Sequence, residues 1–283
     1  MAPNNRKYTT KLANTSVLVI GGTSGIGYGV AEALIENAVA NLYISSSQQT
    51  RIDDAISRLK STYPDETSTT TKITGLPAVD LADENNLESN IKALFEAIAP
   101  SESSSSGAPA GTKPLLDHIV FTSGDSLGIK PLDDVDMTFF KRCGMVRFFA
   151  PFFVAKYGRH YLKPGPEASI TLTTGAVSEK PIPNWSAIAP WMTGLHGMCR
   201  GLALELKPIR VNLVSPGAVA TELWDASFTD PDAKEAAFAM FGKKMATGAI
   251  GKVEDIAESY LYAMKDKNVT GTVLRSDGGS FLL

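Results

Sequence analysis

The chain has 283 residues, of which 43% are hydrophobic and 20% are charged, and its formal net charge at pH 7 is −3. This length is sufficient for one sizeable core, and the composition is that of a folded globular domain rather than a disordered or fibrous chain. The small net charge provides no basic field for a phosphate backbone, so no nucleic-acid partner is expected.

Cysteine content and hydropathy exclude further classes. Cys143 and Cys199 are too few for a disulfide framework and lack metal-ligand spacing, so no metal site is expected. The polar first ten residues are followed by no apolar leader segment, and no apolar run reaches the roughly 18 residues that cross a bilayer. These features predict a soluble protein without a membrane partner, for which a cytoplasmic location fits best.

Short β-branched runs alternate with amphipathic stretches, a pattern typical of βαβ units. Strands are predicted at residues 16–20, 41–45, 72–79, 117–122, 169–174, 210–214 and 272–275. Helices are predicted at residues 25–37, 51–62, 84–99, 137–162, 191–206 and 253–264. The alternation predicts one α/β domain over residues 1–283, a Rossmann-type doubly wound parallel sheet in a three-layer α/β/α arrangement. Residues 100–113, rich in Ser, Gly, Pro and Ala, are predicted to be a flexible surface loop.

The first strand runs into a glycine-rich turn, GGTSGIG at residues 21–27, that opens the first helix. A pyrophosphate-binding turn requires this setting: Gly21 allows the tight turn, Gly25 lets the backbone approach the phosphates, and Gly27 lets the helix pack on the strand. The helix N-terminus offers free N–H donors, and Thr23 and Ser24 add hydroxyls. The turn predicts a dinucleotide cofactor, and the alternative is a glycine-rich turn that binds no ligand.

The end of the second strand bears on the choice of cofactor. An NAD site usually has an acidic residue there on the ribose 2′-hydroxyl, whereas an NADP site accepts a phosphate with basic or hydroxyl groups. Here the strand ends in Ser45, Ser46 and Ser47, and Arg51 follows. These groups can bind a phosphate through charge-assisted bonds, so NADP(H) is favoured over NAD(H). The alternative is a helix-capping serine cluster beside a solvated arginine.

Several motifs resemble those of the short-chain dehydrogenase/reductase family, and the resemblance covers roughly residues 12–280. Asp80 and Leu81 stand where the family places an acidic residue against the adenine, and TSG at residues 122–124 stands where its Asn-Ala-Gly element follows the fourth strand. RVNLVSPG at residues 210–217 resembles the strand and loop that hold the nicotinamide carboxamide.

The resemblance and the turn together imply a cofactor site along the carboxyl edge of the sheet. The less regular residues 221–248 follow the nicotinamide loop, which suggests a substrate lid. The residues expected to contact NADP(H) are Gly21, Thr23, Ser24, Gly25, Ile26, Gly27, Ser45, Ser46, Ser47, Arg51, Asp80, Leu81, Thr122, Ser123, Gly124, Arg147, Pro216, Gly217, Val219 and Thr221.

In this family a Tyr exchanges the substrate proton, a Lys four residues later lowers the pKa of that Tyr, and a Ser orients the carbonyl. None of the eight tyrosines here has a Lys four residues on. Alignment of GLALEL at residues 201–206 with the matching family helix puts Ile188 and Met192 at the Tyr and Lys positions. Thr173 or Thr174 takes the Ser position, so a hydroxyl is kept but no proton relay is expected.

VRFF at residues 146–149 resembles a divergent branch that has this arginine and lacks the Tyr/Lys pair. The branch comprises fungal homologues of secondary metabolism, including bifunctional reductase/Diels–Alderases of prenylated indole alkaloid pathways. The resemblance implies a catalytic site of Arg147, Thr174 and Trp185, with Arg147 as a fixed hydrogen-bond donor. The acidic residue that this branch has before the tryptophan is absent here and aligns near Ile182. A structural arginine at a helix interface is the alternative for Arg147.

Loss of the relay still permits hydride transfer to an acceptor that is already electrophilic. Reduction of an iminium ion gives a neutral amine without a proton donor, and the Pro/Trp-rich residues 181–192 offer apolar walls that exclude water. We therefore expect an NADPH-dependent tailoring oxidoreductase that reduces an activated C=N bond, or a similar acceptor, of a hydrophobic small molecule.

Other functions fit the same motifs. The resemblance implies that cyclisation can be coupled to the reduction. The alternatives are a non-redox NADP-binding pseudoenzyme, a cofactor-assisted cyclase or isomerase, and a carbonyl reductase that uses Thr174 alone. The predicted helices 137–162 and 191–206 carry broad apolar surfaces, and we expect them to pair in a homodimer or homotetramer.

Overall fold

The computed structural model describes residues 7–98, 115–125, 128–225 and 230–283. The predicted surface loop at residues 100–113 lies outside the described residues. The strands are β1 (Ser16–Ile20), β2 (Asn41–Ser45), β3 (Lys72–Gly75), β4 (His118–Phe121), β5 (Ser169–Thr173), β6 (Arg210–Pro216) and β7 (Val273–Ser276). The α-helices are α1 (Gly25–Glu36), α2 (Gln49–Thr62), α3 (Pro64–Thr69), α4 (Leu87–Glu96), α5 (Met137–Gly144), α6 (Ala150–Gly158), α7 (Ala189–Glu205), α8 (Pro231–Gly242) and α9 (Val253–Lys265).

The seven strands form one parallel sheet in the order β3-β2-β1-β4-β5-β6-β7. Side chains of β1 alternate between its faces: Val17 and Val19 pack with α1, α2 and α9, while Leu18 and Ile20 pack with α4, α6 and α7. Both faces of the sheet are therefore covered, and the predicted single-domain, three-layer Rossmann fold is confirmed.

The strand order reverses between β1 and β4, which pair so that Ile20 lies opposite Phe121. In open α/β sheets a ligand crevice lies outside the carboxyl ends of the strands at such a reversal. The glycine-rich turn after β1 and the TSG element after β4 border this crevice.

Two predicted elements differ substantially from the observed ones, and the boundaries of the others agree to within three residues. Strand β3 ends at Gly75 rather than residue 79, because Pro77 has no N–H to continue the ladder after Leu76 donates to the carbonyl of Ile44. The predicted helix 137–162 is divided by a π-helical turn, Met145–Phe149. Pro151 cannot donate to the carbonyl of Arg147 four residues earlier, which accounts for the departure from α-helical geometry.

The segment 221–248 is more regular than predicted, because it contains a short 3₁₀ turn, Glu222–Trp224, and helix α8. An Asp-Pro pair begins α8: Pro231 suits the first helical position, and the Asp230 carboxylate accepts the N–H of Asp232 at 3.2 Å.

A buried arginine joins β6 to the end of α9. Arg210 is 2% exposed, and its Nε and Nη2 donate to the carbonyls of Pro166 at 2.7 Å and Met264 at 2.8 Å. Its Nη1 donates to the carbonyl of Asp266 at 2.9 Å. A cation placed on the last carbonyls of a helix complements the helix dipole, so Arg210 is a major stabilising contact of the far edge of the sheet. In the described part of the chain, no helix is both long and apolar enough to cross a membrane.

Candidate active site

The glycine-rich turn has the geometry of a phosphate cradle. Gly21 has a φ of +92°, and a Cβ there would lie 2.6 Å from the backbone nitrogen of Ser123. A Cβ on Gly27 would lie 2.1 Å from the carbonyl oxygen of Gly21. The Thr122 hydroxyl donates to the carbonyl of Ile20 at 3.1 Å. The turn is therefore held against β4 at a distance that only glycine allows, and its donors fit a pyrophosphate group.

Two side chains support this turn from the α2 side. The buried Thr23 hydroxyl donates to the Ser46 hydroxyl at 3.2 Å, and Nη2 of Arg58 donates to the Thr23 carbonyl at 3.1 Å. The Arg58 guanidinium also lies over the ring of Tyr28, 4.3 Å from its centroid. Ser24 is exposed at the start of α1, and its side chain makes no cap bond. Sequence reasoning missed Arg58, because only the fold brings α2 beside the turn.

The predicted adenosine residues meet at the ends of β2 and β3. The N–H of Val79 donates to the carbonyl of Ser46 at 3.0 Å, which brings Asp80 and Leu81 beside the serine run. The exposed Asp80 carboxylate accepts the N–H of Ala82 at 2.8 Å. The side chains of Ser46, Ser47 and Arg51 are half-buried or exposed.

Ser45 is an exception among the predicted phosphate ligands. It is wholly buried in β2, opposite Ile20 of β1. No part of the Ser45 side chain reaches the surface, whereas Ser46 is half-buried and Ser47 is exposed, so the assignment of Ser45 as a direct ligand is corrected.

The predicted nicotinamide loop follows β6. The N–H of Gly217 donates to the carbonyl of Ser276 at 3.0 Å, and a Cβ on Gly217 would lie 2.8 Å from the Cα of Asp277. Val219 bridges to Gly251, and Thr221 lies against Gly25, whose Cβ position is 3.3 Å from the Thr221 Cβ. The loop predicted at the nicotinamide and the phosphate turn therefore meet across the crevice.

A carboxylate that sequence reasoning missed lies at the start of α1. The N–H of Gly25 donates to Oε2 of Glu222 at 2.9 Å. The N-terminus of a helix favours negative charge, and this is the N–H expected to face a pyrophosphate. Glu222 and a dinucleotide phosphate therefore use the same donor. The only sequence signal was an acidic residue directly after Thr221.

The beginning of the predicted lid is anchored by an aromatic cluster. The indole N–H of Trp224 donates to the carbonyl of Val219 at 2.8 Å. Its ring packs on Phe238 and Phe241 of α8, with centroid distances of 5.8 and 5.1 Å. Motion of the segment as a lid stays a prediction.

An apolar cluster occupies the place expected for the proton relay. Phe139, Cys143, Ala187, Ile188 and Met192 are buried together and are called the apolar cluster below. Trp185 and Trp191 are partly buried against it.

Thr174 lies beside this cluster, and its hydroxyl is already hydrogen-bonded within the protein. Its buried hydroxyl donates to the carbonyl of Met192 at 2.8 Å. The structure thus brings Thr174, Ile188, Met192 and Trp185 together, and their catalytic roles stay predictions.

Arg147, on the π-helical turn, forms an ion pair with Asp125, which sequence reasoning also missed. Nε of Arg147 lies 3.1 Å from Oδ1 of Asp125, and Nη2 donates to the backbone carbonyl of Asp125. A Cβ on Gly124 would lie 2.8 Å from Nη1, so the glycine admits the guanidinium. Burial raises the pKa of Asp125, and the Arg147 charge opposes that rise. Arg147 is thus fixed next to the TSG element, and its catalytic role stays a prediction.

The sheet order, the crevice and the glycine cradle define a Rossmann-type domain. A family profile described as an SDR-like Rossmann domain matches residues 8–283. The chain belongs to the short-chain dehydrogenase/reductase family.

Curated relatives include fungal members of the family. The chain is 41% identical over 281 residues to the short-chain dehydrogenase/reductase fsr5 of Gibberella fujikuroi, with 98% of each chain covered. It is 40% identical over 282 residues to malC of Malbranchea aurantiaca, with both covered in full. The predicted resemblance to fungal reductase homologues is confirmed.

Solved structures agree with this relationship. The MalC reductase/Diels–Alderase of Malbranchea aurantiaca superposes with a TM-score of 0.85 at 38% identity, covering 98% of this chain and 100% of that one. A small-chain dehydrogenase in complex with NADPH superposes with a TM-score of 0.71 at 27% identity, covering 95% and 100% of the two chains.

Proposed function

We propose that the chain is an NADPH-dependent oxidoreductase that tailors a small hydrophobic molecule of secondary metabolism by reducing an activated C=N bond. The observation that carries this proposal is the apolar cluster, in which Ile188 and Met192 are buried together and Met192 accepts from Thr174, in a domain whose glycine cradle is suited to a dinucleotide. NADPH supplies a hydride when bound. No tyrosine of the sequence has a Lys four residues on, so we expect an acceptor that needs no proton from such a pair.

Each group of side chains has a stated part in this proposal. The turn at residues 21–27 and Thr221 hold the pyrophosphate, and Ser46, Ser47 and Arg51 hold the 2′-phosphate, which favours NADP(H). The apolar cluster and Trp185 exclude water, which would otherwise hydrolyse an iminium ion. Nε and Nη2 of Arg147 face Asp125, and the remaining N–H groups of its fixed guanidinium orient a carbonyl group elsewhere on the substrate.

The fungal relatives support a role in tailoring reactions, and the name of MalC as a reductase/Diels–Alderase supports a cyclisation coupled to the reduction. The aligned position near Ile182 has no acidic side chain, and Ile182 is exposed. Reduction is therefore the primary proposal, and cyclisation is its extension.

A non-redox NADP-binding protein, or a cofactor-assisted cyclase or isomerase, is the second candidate. The observation in its favour is that two polar groups of the site are already hydrogen-bonded within the protein. Thr174 donates to the carbonyl of Met192, and Glu222 accepts from the N–H of Gly25. Cofactor binding without hydride transfer to any acceptor would support it.

The test is a substrate panel with purified protein and NADPH, following cofactor fluorescence. A cyclic iminium salt, a neutral imine, an enone and a simple ketone are compared, with Trp185→Phe as a variant that keeps the apolar wall. We expect turnover of the iminium salt and none of the ketone. Turnover of the ketone alone would favour a carbonyl reductase that uses Thr174, and no turnover with tight NADPH binding would favour the second candidate.

We propose a homodimer or homotetramer built on α6 and α7. Both helices expose large apolar side chains, Phe152 on α6 and Leu204 on α7. Light scattering on the size-exclusion peak tests the assembly, and Phe152→Glu together with Leu204→Glu is expected to give a monomer. A monomer in the unsubstituted protein would contradict the proposal.

A further inference from the structure

Asp125 is an acidic side chain of the crevice to which the proposed function gives no part. It directly follows the TSG element at the carboxyl end of β4, where the strand order reverses. Its side chain is 28% exposed, whereas that of its partner Arg147 is 12% exposed. The carboxylate is therefore the member of the ion pair that a bound molecule can reach more easily.

Arg147 fixes this carboxylate without satisfying it fully. Nη2 of Arg147 is engaged by the Asp125 carbonyl, and Nε faces Oδ1 at 3.1 Å. Oδ1 of Asp125 and Nε of Arg147 are both buried, and neither has another hydrogen-bond partner among the described residues. Because Oδ1 is buried against Arg147, the exposed 28% of the Asp125 side chain belongs to its other atoms, and a further positive partner approaches the carboxylate from that side.

The apolar cluster begins next to this carboxylate. Cys143 of the cluster lies near the end of α5, four residues before Arg147, which pairs with Asp125. The other basic group acting on Asp125 is Arg142, which is exposed to solvent with its guanidinium 5.0 Å from the Phe139 centroid. Solvent screens an exposed charge more strongly than a buried one, so Arg147 and Asp125 dominate the local field.

A cation that enters an apolar cluster loses its hydration, and this is costly unless a counter-charge replaces the water. Resting on the proposed function, we propose that Asp125 is a specificity-determining residue that supplies the counter-charge for a cationic acceptor, an iminium ion bound beside the apolar cluster. The cation lies on the solvent-accessible side of Asp125, and Arg147 holds the opposite side.

The reduction balances without any proton. A new C–H bond forms between the transferred hydride and the iminium carbon, and the C=N π pair becomes the lone pair of the amine nitrogen. The positive charge leaves the substrate and goes to the nicotinamide ring of the oxidised cofactor. Asp125 keeps its charge throughout, so it neither donates nor accepts a proton.

The test uses a cation that cannot be reduced, so that it does not depend on turnover. Binding of N,N-dimethyl-tetrahydroisoquinolinium and of its neutral carbon analogue, a gem-dimethyltetralin, is measured with the NADPH-loaded protein by calorimetry. We expect the unsubstituted protein to prefer the cation. Asp125→Asn should weaken cation binding by at least ~10-fold and leave the neutral analogue nearly unchanged.

Two further variants distinguish a counter-charge from a structural role. Asp125→Glu should restore part of the preference, because it keeps the charge, and Asp133→Asn, which removes an exposed carboxylate in a nearby turn, should keep all of it. Equal losses for both ligands in Asp125→Asn, or no cation preference in the unsubstituted protein, would overturn the proposal. A preserved cation preference without hydride transfer to any iminium would refute the proposed function alone.

Discussion

Glu222→Gln is predicted to weaken the unliganded fold and to tighten NADPH binding. The carboxylate accepts the N–H of Gly25 at 2.9 Å, at the N-terminus of α1. Gln keeps the size of the side chain but removes the charge that competes with the pyrophosphate. Stability falls while NADPH affinity rises, because the Gly25 N–H donates either to the Glu222 carboxylate or to the cofactor phosphate.

The magnitude follows from the exposure of this contact. Glu222 is exposed, so the bond to the helix N-terminus contributes at the lower end of the usual range, ~0.5–1 kcal/mol. NADPH has to displace this charged contact in the unsubstituted protein. Its removal in Glu222→Gln therefore corresponds to a gain of roughly 2–5-fold in the affinity of the variant for NADPH. Relief of repulsion between two anionic groups adds to this gain, so we expect NADPH to bind about 3–10-fold more tightly.

The assay combines urea unfolding of the unliganded protein with fluorescence titration of NADPH. Glu235→Gln, an exposed change on α8 in the same segment, is the matched control and should change neither value. Weaker NADPH binding in Glu222→Gln would refute the reasoning, because it would mean that the carboxylate helps to hold the cofactor.

Four further changes have defined outcomes. Ser46→Asp places a carboxylate beside the expected 2′-phosphate and should shift the ratio of NADPH to NADH affinities by at least ~10-fold toward NADH in the same titration; an unchanged ratio would count against this phosphate site. Gly124→Ala puts a Cβ 2.8 Å from Nη1 of Arg147 and should lower kcat/KM about 10-fold with little change in Tm, whereas full activity would show that Arg147 need not hold its position. Arg210→Met leaves five carbonyls without their buried donor and should cost about 3–5 kcal/mol in urea unfolding; a loss below ~1 kcal/mol would contradict its role. Because burial raises the pKa of Asp125 and the ionised form is required, kcat/KM for a cationic acceptor should rise with pH through a transition above the usual carboxyl range, and Asp125→Asn should abolish that transition.

The sequence predicted the sheet well because the strands carry strong local signals. The buried run VLVI in β1 is followed at once by glycines, so both the strand and the turn could be placed within a residue of their observed positions. The end of β3 was misplaced because one proline outweighed an apolar pattern that continued to residue 79. The π-helical turn was missed because the apolar pattern continues past Pro151, whose missing N–H was given too little weight.

The site was predicted less completely than the fold. Motif residues such as Gly21 and Thr221 could be found because their spacing reflects backbone geometry, which the chain carries locally. Glu222 and Asp125 could not be found this way, since their partners lie far along the chain, at Gly25 and Arg147, and only the crevice brings them together. Ser45 was assigned from its neighbours, but it lies within β2, where it is wholly buried.

The protein is proposed to reduce an iminium acceptor with NADPH and without a proton relay. A single turnover is run with a cyclic iminium salt and NADPH that carries deuterium at the transferable position. We expect one deuterium on the former iminium carbon of the amine product, and no turnover when a simple ketone replaces the iminium. Tight NADPH binding with no deuterium in the product would contradict it.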